Sequence, residues 1–228
     1  MQKHFELLRH LFLFKDDIIF PLYRRLFTQM IDHKRFDNDI WLTTQLHDIM
    51  IDLYPKFYEK CVVKISETPQ ILDDPLRACE MVDINYIISW PVNLIICEKH
   101  LEMYSELFRL ILKVKWALYT LNHLYFHDRK SIGKAKLPHP KALNSFLRKL
   151  KVFRFHLLNQ FSNIQHYILG YVFNKYLRRF EQDFEAAYNL DTLISSHSNF
   201  INSVYKTSMD FQKLREEPRI QFGMFDPS

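Results

Sequence analysis

The strongest pattern of apolar and polar positions lies in the middle of the chain. From Glu98 to about His127, apolar residues recur every three or four positions, which is the spacing of one face of an α-helix. A second apolar stripe runs beside the first, and a helix that is apolar over more than half of its circumference belongs inside a bundle. The segment therefore predicts a buried central helix. The two stripes comprise Leu101, Tyr104, Phe108, Ile111, Val114, Leu118, Leu121 and Tyr125, and then Leu107, Leu110, Ala117 and Leu124.

Residues 84–97 precede this helix and have a different pattern. They are rich in β-branched and aromatic side chains, which favour an extended backbone. Pro91 cannot continue a helix, and it biases Trp90 toward the extended region. We therefore predict a short extended segment before the core helix, in which Trp90 and Pro91 have a structural role.

Three amphipathic helices are predicted in the first quarter of the chain. The first covers residues 3–14. Asp16 or Asp17 is expected to cap the second, which runs from about Ile18 to Ile31. The third runs from about Asn38 to Leu53.

The segment after these helices has a weaker pattern. Residues 62–65 are predicted as a strand or an extended edge, and Pro69 and Pro75 mark a surface linker.

Two further helices are predicted after the central one. Residues 128–144 form a loop, and the lack of proline between Lys141 and Glu217 allows a very long helix, in which Gly170 marks a bend. A final helix begins at an N-cap near Asp191. The stripe expected to face the core in the very long helix consists of Phe146, Leu150, Phe153, Leu157, Phe161, Ile164, Ile168 and Tyr171.

The composition supports an all-α fold. The hydrophobic fraction of 48% excludes a disordered chain, and 3 glycines among 228 residues leave little turn chemistry for β-hairpins. We predict an all-α helical bundle with long central helices and a short extended segment before the core helix. Residues 1–211 are expected to form a single domain, and residues 212–228 a polar, disordered tail.

The cysteines and the apolar runs restrict the class of protein. Cys61, Cys79 and Cys97 are odd in number and far apart, so the sequence predicts neither a disulfide framework nor a zinc site, and a reducing, cytosolic setting. The amino terminus lacks the apolar core of a signal peptide, and no apolar run reaches the roughly 18 residues of a membrane span. We expect no membrane partner and no cofactor.

Positive charge is concentrated in residues 129–154. This segment has nine Lys and Arg residues and no Asp or Glu, whereas the whole chain has a net charge of +5. The surplus is therefore local, and it indicates either an acidic partner or a solvated basic loop that aids solubility. The candidate partner-binding residues are Lys141, Arg148, Lys149, Lys151 and Arg154.

Catalytic patterns are scarce. His123 and His127 have the spacing that can bind a metal from one helix face, but the glutamate of zinc-protease helices is missing, which favours structural or solvated histidines. The few glycines exclude a phosphate-binding loop. The sequence therefore predicts a protein that is not an enzyme and that acts by surface recognition.

Several motifs are spread over most of the chain. They are Leu11-Phe12-Leu13-Phe14-Lys15-Asp16-Asp17, Asp39-Ile40-Trp41-Leu42, Tyr86-x-x-x-Trp90-Pro91-Val92-Asn93, Leu101-x-x-Tyr104-x-x-x-Phe108, Lys115-Trp116-Ala117, Leu147-Arg148-Lys149-Leu150 and Leu190-Asp191-x-Leu193-Ile194-x-x-His197. Together they resemble the carboxy-terminal (GRIP2) half of the gamma-tubulin complex component family. The segment around Lys115 looks most like component five of that family.

This resemblance implies a helical GRIP2-like module that binds gamma-tubulin and other gamma-tubulin complex components without catalysis. It implies a contribution to microtubule nucleation at a microtubule-organising centre of the cytoplasmic cytoskeleton, the centrosome or spindle pole. The family's amino-terminal half has no counterpart here, so we expect a fragment or a shortened isoform. The family-motif residues expected to be mainly structural are Trp90, Pro91, Asn93, Tyr104, Phe108, Lys115, Trp116 and His197.

Two alternative functions come from the residues alone. Residues 129–154 could belong to a basic helical nucleic-acid-binding protein, although stacking aromatics first occur at Phe146 and Phe153, which makes nucleic acid a less favoured partner. A metal-dependent helical enzyme that uses His123 and His127 is the weaker alternative.

Overall fold

The computed structural model describes residues 1–32, 39–66, 75–132 and 140–216. These residues form a mainly helical bundle with one small sheet, which confirms the all-α fold class. In chain order, the helices are α1 (Gln2–Phe12), α2 (Phe20–Asp32), α3 (Asp39–Met50), α4 (Pro75–Met81), α5 (Glu98–Ile132), α6 (Pro140–Gln165), α7 (Phe173–Glu185) and α8 (Leu190–Glu216), and the strands are β1 (Cys61–Ile65) and β2 (Val82–Tyr86).

Helix α5 is the centre of the bundle, as its two apolar stripes predict. It packs against α1, α2, α4, α6, α8 and β2. Its first half is buried, with Tyr104, Leu107, Phe108 and Leu112 at most 2% exposed. Beyond Trp116 the described side chains of α5 are only half-buried or exposed, so the core ends near the middle of this helix.

The sheet consists of β1 and β2, which pair antiparallel with Val63 opposite Ile84. It contains the strand predicted at residues 62–65. The Thr43 hydroxyl of α3 accepts a hydrogen bond from the Val63 amide at 3.0 Å, so a side chain of α3 caps a backbone donor of β1.

The extended segment predicted at residues 84–97 is shorter than expected. Only its beginning lies in β2. The chain then turns, with the Val92 amide donating to the Ser89 carbonyl at 3.1 Å, and a 3-10 turn follows at Val92–Leu94. Strand pairing has already ended at Tyr86, opposite Cys61, so Pro91 lies in the turn and not in the sheet.

The connection between α1 and α2 differs from the predicted N-cap. Phe14, Asp16 and Asp17 have φ angles between 51° and 53°, in the left-handed region. Lys15–Asp17 is a 3-10 turn, and the Asp17 carboxylate accepts hydrogen bonds from Tyr23 and Lys115 rather than from amides of α2. Aspartate tolerates this backbone region better than most residues, whereas Phe14 adopts it with some strain.

The last helix also has a different cap from the one predicted. The Asn189 side-chain oxygen accepts a hydrogen bond from the Thr192 amide at 2.7 Å, so Asn189 is the N-cap and Asp191 lies in the first turn. Helix α8 continues past Phe211 to Glu216. The rest of the predicted tail lies outside the described residues.

The connection between α5 and α6 is shorter than the loop predicted at residues 128–144. Helix α5 extends to Ile132 and α6 begins at Pro140. The expected bend at Gly170 takes the form of a π-helical segment, His166–Val172, between α6 and α7. A π-helical turn rotates the following side chains relative to an α-helix.

The prediction that the apolar stripe of the very long helix faces the core is wrong for its first part. Ile168 is buried, but Phe146, Leu150 and Phe153 are 61%, 40% and 59% exposed. The stripe was expected to face the core over its whole length. Helix α6 lies beside the second half of α5, where Arg154 donates to the Leu121 carbonyl and where the described α5 side chains are themselves half-buried or exposed. Tyr171, at the other end of the stripe, is also exposed.

No helix in the described ranges is both long enough and apolar enough to cross a lipid bilayer.

Candidate functional site

The amino-terminal half of α6 is exposed around most of its circumference, and we call this exposed half of the helix the α6 outer face. It contains the exposed side chains of Phe146, Leu150 and Phe153 and the exposed cations Arg148, Lys149 and Lys151. Spacings of four and three residues place the three apolar side chains on one side of the helix. Lys149 is three residues after Phe146 and four before Phe153, so it lies beside that stripe. The arrangement can bind an apolar and acidic surface.

Two predicted partner-binding residues have a different placement. Arg154 is half-buried, and its Nη1 donates to the Leu121 carbonyl of α5 at 3.5 Å. It therefore links α6 to α5. Lys141 lies in the first turn of α6, but its side chain is outside the described residues.

Trp90, Pro91 and Asn93, which were expected to be mainly structural, lie in an exposed loop after β2. The Trp90 side chain is 76% exposed, and Pro91 and Asn93 are exposed as well. Lys60 donates a hydrogen bond to the Ser89 hydroxyl at 2.7 Å and holds the start of the loop against the sheet. Trp90 therefore lies in solvent and not between the strand and α5.

Lys115 is part of a polar contact between α5 and the turn after α1. Its Nζ donates to Asp17 Oδ1 at 2.9 Å, and the Tyr23 hydroxyl donates to both Asp17 oxygens at 2.7 and 2.8 Å. Burial, followed by the hydrogen bond to Asp17, raises the pKa of Tyr23. Lys115 Nζ also lies 5.8 Å from the ring centroid of Phe14. The cluster fixes the left-handed turn to the central helix.

Replacing Lys115 with Met is expected to lower the free energy of unfolding by about 1–2 kcal/mol, because Asp17 loses a charged donor and is 42% exposed. The matched control is Lys113→Met on the same helix. Lys113 pairs with the more exposed Glu80, so we expect a loss below about 1 kcal/mol. Urea denaturation of the two variants measures the difference. Equal losses would mean that the Asp17 contact adds no specific stability.

His197 lies in the middle of the core. It is 0% exposed, and its Nε2 forms a 3.2 Å hydrogen bond with the Tyr104 hydroxyl. The ring centroids of His100 and Phe5 lie 4.9 and 5.1 Å away. Burial, and then the charge of His100, lowers the pKa of His197 to about 3, and a hydrogen bond with the Ile95 backbone opposes this shift only in part. The histidine is therefore neutral in the folded protein and joins α8 to α5.

The other family-motif side chains of α5 are packing residues in the structure. The Phe108 ring stacks on Phe14 at a centroid distance of 5.4 Å. Trp116 is 7% exposed, and its ring centroid lies 5.1 Å from that of Phe27 in an edge-to-face arrangement. Tyr104, Phe108, Lys115, Trp116 and His197 thus join α5 to α1, α2 and α8.

A groove of about 260 Å³ lies between the turn after α1 and the π-helical segment with α7. Its lining includes the apolar residues Leu13, Phe14 and Phe173 and the basic residues Arg9 and Lys15. The described lining residues include no Ser, Cys or His, so the groove offers a binding cleft without a nucleophile or an imidazole base.

Metal-binding groups are sparse in the described part of the chain. No three His, Cys, Asp or Glu side chains among the described residues are close enough to hold a metal ion. The His127 side chain lies outside these residues, so the hypothesis of a site at His123 and His127 stays a prediction.

Sequence reasoning missed the partners of the polar core residues. Asp17 was expected to be a cap, and nothing in the local pattern indicates that it binds a lysine 98 positions away. The only sequence signal is indirect: Lys115, like Lys113, lies within a mainly apolar stretch of a core helix, and such a residue needs a partner when it is buried.

The fold is an all-α bundle whose packing centres on one long helix, and it defines a helical module with a basic, partly apolar outer helix. The chain matches the family described as "Gamma tubulin complex component C-terminal" over residues 1–219. It therefore belongs to the gamma-tubulin complex component carboxy-terminal family, as the motif resemblance predicts.

Individual relatives are distant in sequence. The chain is 22% identical to gamma-tubulin complex component 5 of Mus musculus over 223 residues, which cover 89% of this chain and 22% of the relative. It is 20% identical to component 5 of Macaca fascicularis over 221 residues, covering 89% and 30%. It is 24% identical to component 2 of Mus musculus over 186 residues, covering 76% and 19%. The chain thus spans less than a third of each relative.

Proposed function

We propose that this chain is a non-catalytic part of the gamma-tubulin complex that binds gamma-tubulin and contributes to microtubule nucleation. The observation that carries the proposal is the family match over residues 1–219, supported by relatives that are named gamma-tubulin complex components. Other gamma-tubulin complex components are the further partners. The site of action is the microtubule-organising centre, at the centrosome or spindle pole in the cytoplasm.

The α6 outer face is the proposed contact surface for gamma-tubulin. Arg148, Lys149 and Lys151 are exposed there, and residues 129–154 contain no acidic side chain that could neutralise them within the segment. Exposed clusters of one charge accelerate association with an oppositely charged surface and add modest affinity. Exposed apolar side chains lie beside these cations, Val152 and Phe155 next to Arg148 and Lys151, and Phe146 and Phe153 next to Lys149, and they supply the apolar area that charge alone lacks.

Charge reversal at Arg148, Lys149 and Lys151 to Glu is expected to weaken binding to purified gamma-tubulin about tenfold or more. The reason is that each exposed ion pair contributes up to about 1 kcal/mol, and like charges then repel. The variant should also lose most of the salt dependence of binding. Surface plasmon resonance at two salt concentrations measures both quantities.

A matched control has the same change of charge on other elements. Lys64, Lys99 and Lys206 are exposed on β1, α5 and α8, and their replacement by Glu should leave the affinity within about threefold. Failure of the unaltered chain to bind gamma-tubulin would contradict the proposed function. An equal loss in both triple variants would instead remove α6 from the interface.

The nucleic-acid alternative is tested in the same experiment. A 20-base-pair DNA duplex is offered in place of gamma-tubulin. Nucleic-acid binding through residues 129–154 should fall steeply with salt, because each neutralised phosphate releases counterions. Duplex binding that is tighter than gamma-tubulin binding, and that is lost on reversal of Arg148, Lys149 and Lys151, would favour this alternative.

A further inference from the structure

Four apolar residues on one side of α6 have the spacing of a coiled-coil seam. Phe146, Leu150, Phe153 and Leu157 follow one another at intervals of four, three and four, which is the alternation of the two core positions of a heptad. Phe146, Leu150 and Phe153 are 61%, 40% and 59% exposed, and Leu157 is half-buried. A seam of this kind stabilises a helix pair when a second helix covers it. We call these four residues the α6 seam.

Positive charge flanks the α6 seam on both sides. Lys149 precedes Leu150 and is exposed on one side. Arg154 follows Phe153 on the other side, where it is half-buried and its Nη1 donates to the Leu121 carbonyl. These are the flanking positions whose charges select the partner helix in a coiled coil. Residues 129–154 contain no acidic residue, so the charges beside the α6 seam favour an acidic partner helix.

A second copy of this chain does not fit the surface. Pairing two α6 seams would bring Lys149 and Arg154 of one copy against the same cations of the other, and like charges at such positions are unfavourable. Nucleic acid would satisfy the cations but would leave an aliphatic residue such as Leu150 without a stacking partner. An amphipathic helix with acidic flanks satisfies both the apolar and the charged residues.

We infer that the α6 seam binds an acidic amphipathic helix of a partner protein, with apolar side chains packed between Phe146 and Leu157 and carboxylates beside Lys149 and Arg154. This inference rests on the proposed role of α6 as an interaction surface. It goes further in that it specifies the secondary structure and the charge of the partner segment. It does not depend on gamma-tubulin being that partner.

The test uses the full chain and three synthetic peptides of three heptads each. The first peptide has Leu at the two core positions and Glu at the flanking positions, which also prevents its self-association. The second has Lys in place of every flanking Glu, and the third has Ser in place of every core Leu. By fluorescence anisotropy, the Glu peptide should bind at least tenfold more tightly than either of the others, and its affinity should fall as salt increases.

The matched variants separate the α6 seam from other apolar surfaces. Phe146→Ser with Phe153→Ser should reduce binding of the Glu peptide at least tenfold, and the two positions are exposed enough for the fold to tolerate the change. The control is Ile40→Ser with Tyr188→Ser, whose side chains are 76% and 86% exposed on other parts of the surface, and which should bind normally. Circular dichroism verifies that both variants keep the helical content of the parent chain.

Three outcomes would overturn the inference. One is equal binding of the Glu and Lys peptides. Another is no binding of the Glu peptide by a chain that circular dichroism shows to be folded. The third is a dimer of the chain, seen by light scattering, that is lost when Phe146 and Phe153 are replaced, because a second copy would then be the occupant. Gamma-tubulin is absent from this experiment, so the inference can fail while the proposed function stands, and the reverse.

Discussion

Replacing Phe108 with Ala is expected to lower the free energy of unfolding by about 3–5 kcal/mol, the usual cost of removing a fully buried aromatic ring. Phe108 is 2% exposed. Its ring stacks on Phe14 at a centroid distance of 5.4 Å and meets the edge of Phe12 at 6.4 Å. The substitution would leave a cavity where α5, the end of α1 and the left-handed turn meet, and these elements can close it only in part.

A matched control tests whether the effect comes from burial. Phe153→Ala is the same chemical change at a position that is 59% exposed on α6, and it should cost less than about 1 kcal/mol. Guanidinium denaturation followed by circular dichroism gives both values. Similar losses at the two positions would contradict the placement of Phe108 in the core. The two variants also distinguish a buried apolar stripe from an exposed one, since replacing Phe108 should affect folding and replacing Phe153 should affect partner binding.

Acidification is expected to destabilise the fold through His197. Its pKa is lowered from 6.5 to about 3 in the folded protein, chiefly by burial, whereas the unfolded chain keeps the ordinary value. Between these values the unfolded state binds a proton that the folded state excludes. The contribution of neutral His197 to the free energy of unfolding is therefore fully present above pH 6.5. It is lost as the pH decreases toward 3, by up to about 1.4 kcal/mol per pH unit for this one group.

The environment of His197 supports this direction. His100 lies 4.9 Å away and Tyr104 forms its hydrogen bond, while Phe5 and Phe180 cover the ring. No carboxylate is among these neighbours to stabilise a positive imidazole. Burial also lowers the pKa of His100, so part of the acid sensitivity belongs to that residue.

The measurement is the free energy of unfolding at pH 7, 6, 5 and 4. His197→Gln, which does not titrate, should be less stable than the parent chain at pH 7 because it alters a buried contact, but its stability should fall less steeply with pH, by about 1 kcal/mol per unit. His166→Asn, at an exposed position, is the control and should keep the parent slope. An unchanged slope in the His197 variant would mean that another group determines the acid sensitivity.

The position of the candidate surface could be predicted from the sequence, but the exposure of its apolar side chains could not. Arg148, Lys149 and Lys151 are neighbours along the chain, and their exposure on one helix follows from local spacing. The neighbouring Phe146 and Phe153 were expected to face the core, because periodicity identifies an apolar side of a helix without showing whether anything covers it. Their exposure depends on α6 lying beside the less covered half of α5.

The sequence by itself determined the all-α class, the central position of α5 and the approximate bounds of the other long helices. Those properties depend on periodicity, proline and capping groups within a few residues of each other. Only the tertiary structure decided that Asp17 binds Lys115, that β1 pairs with β2, and that Trp90 and the α6 seam lie in solvent. Each of these depends on which distant elements pack together, and the spacing of apolar residues along a helix does not identify the element that packs against it.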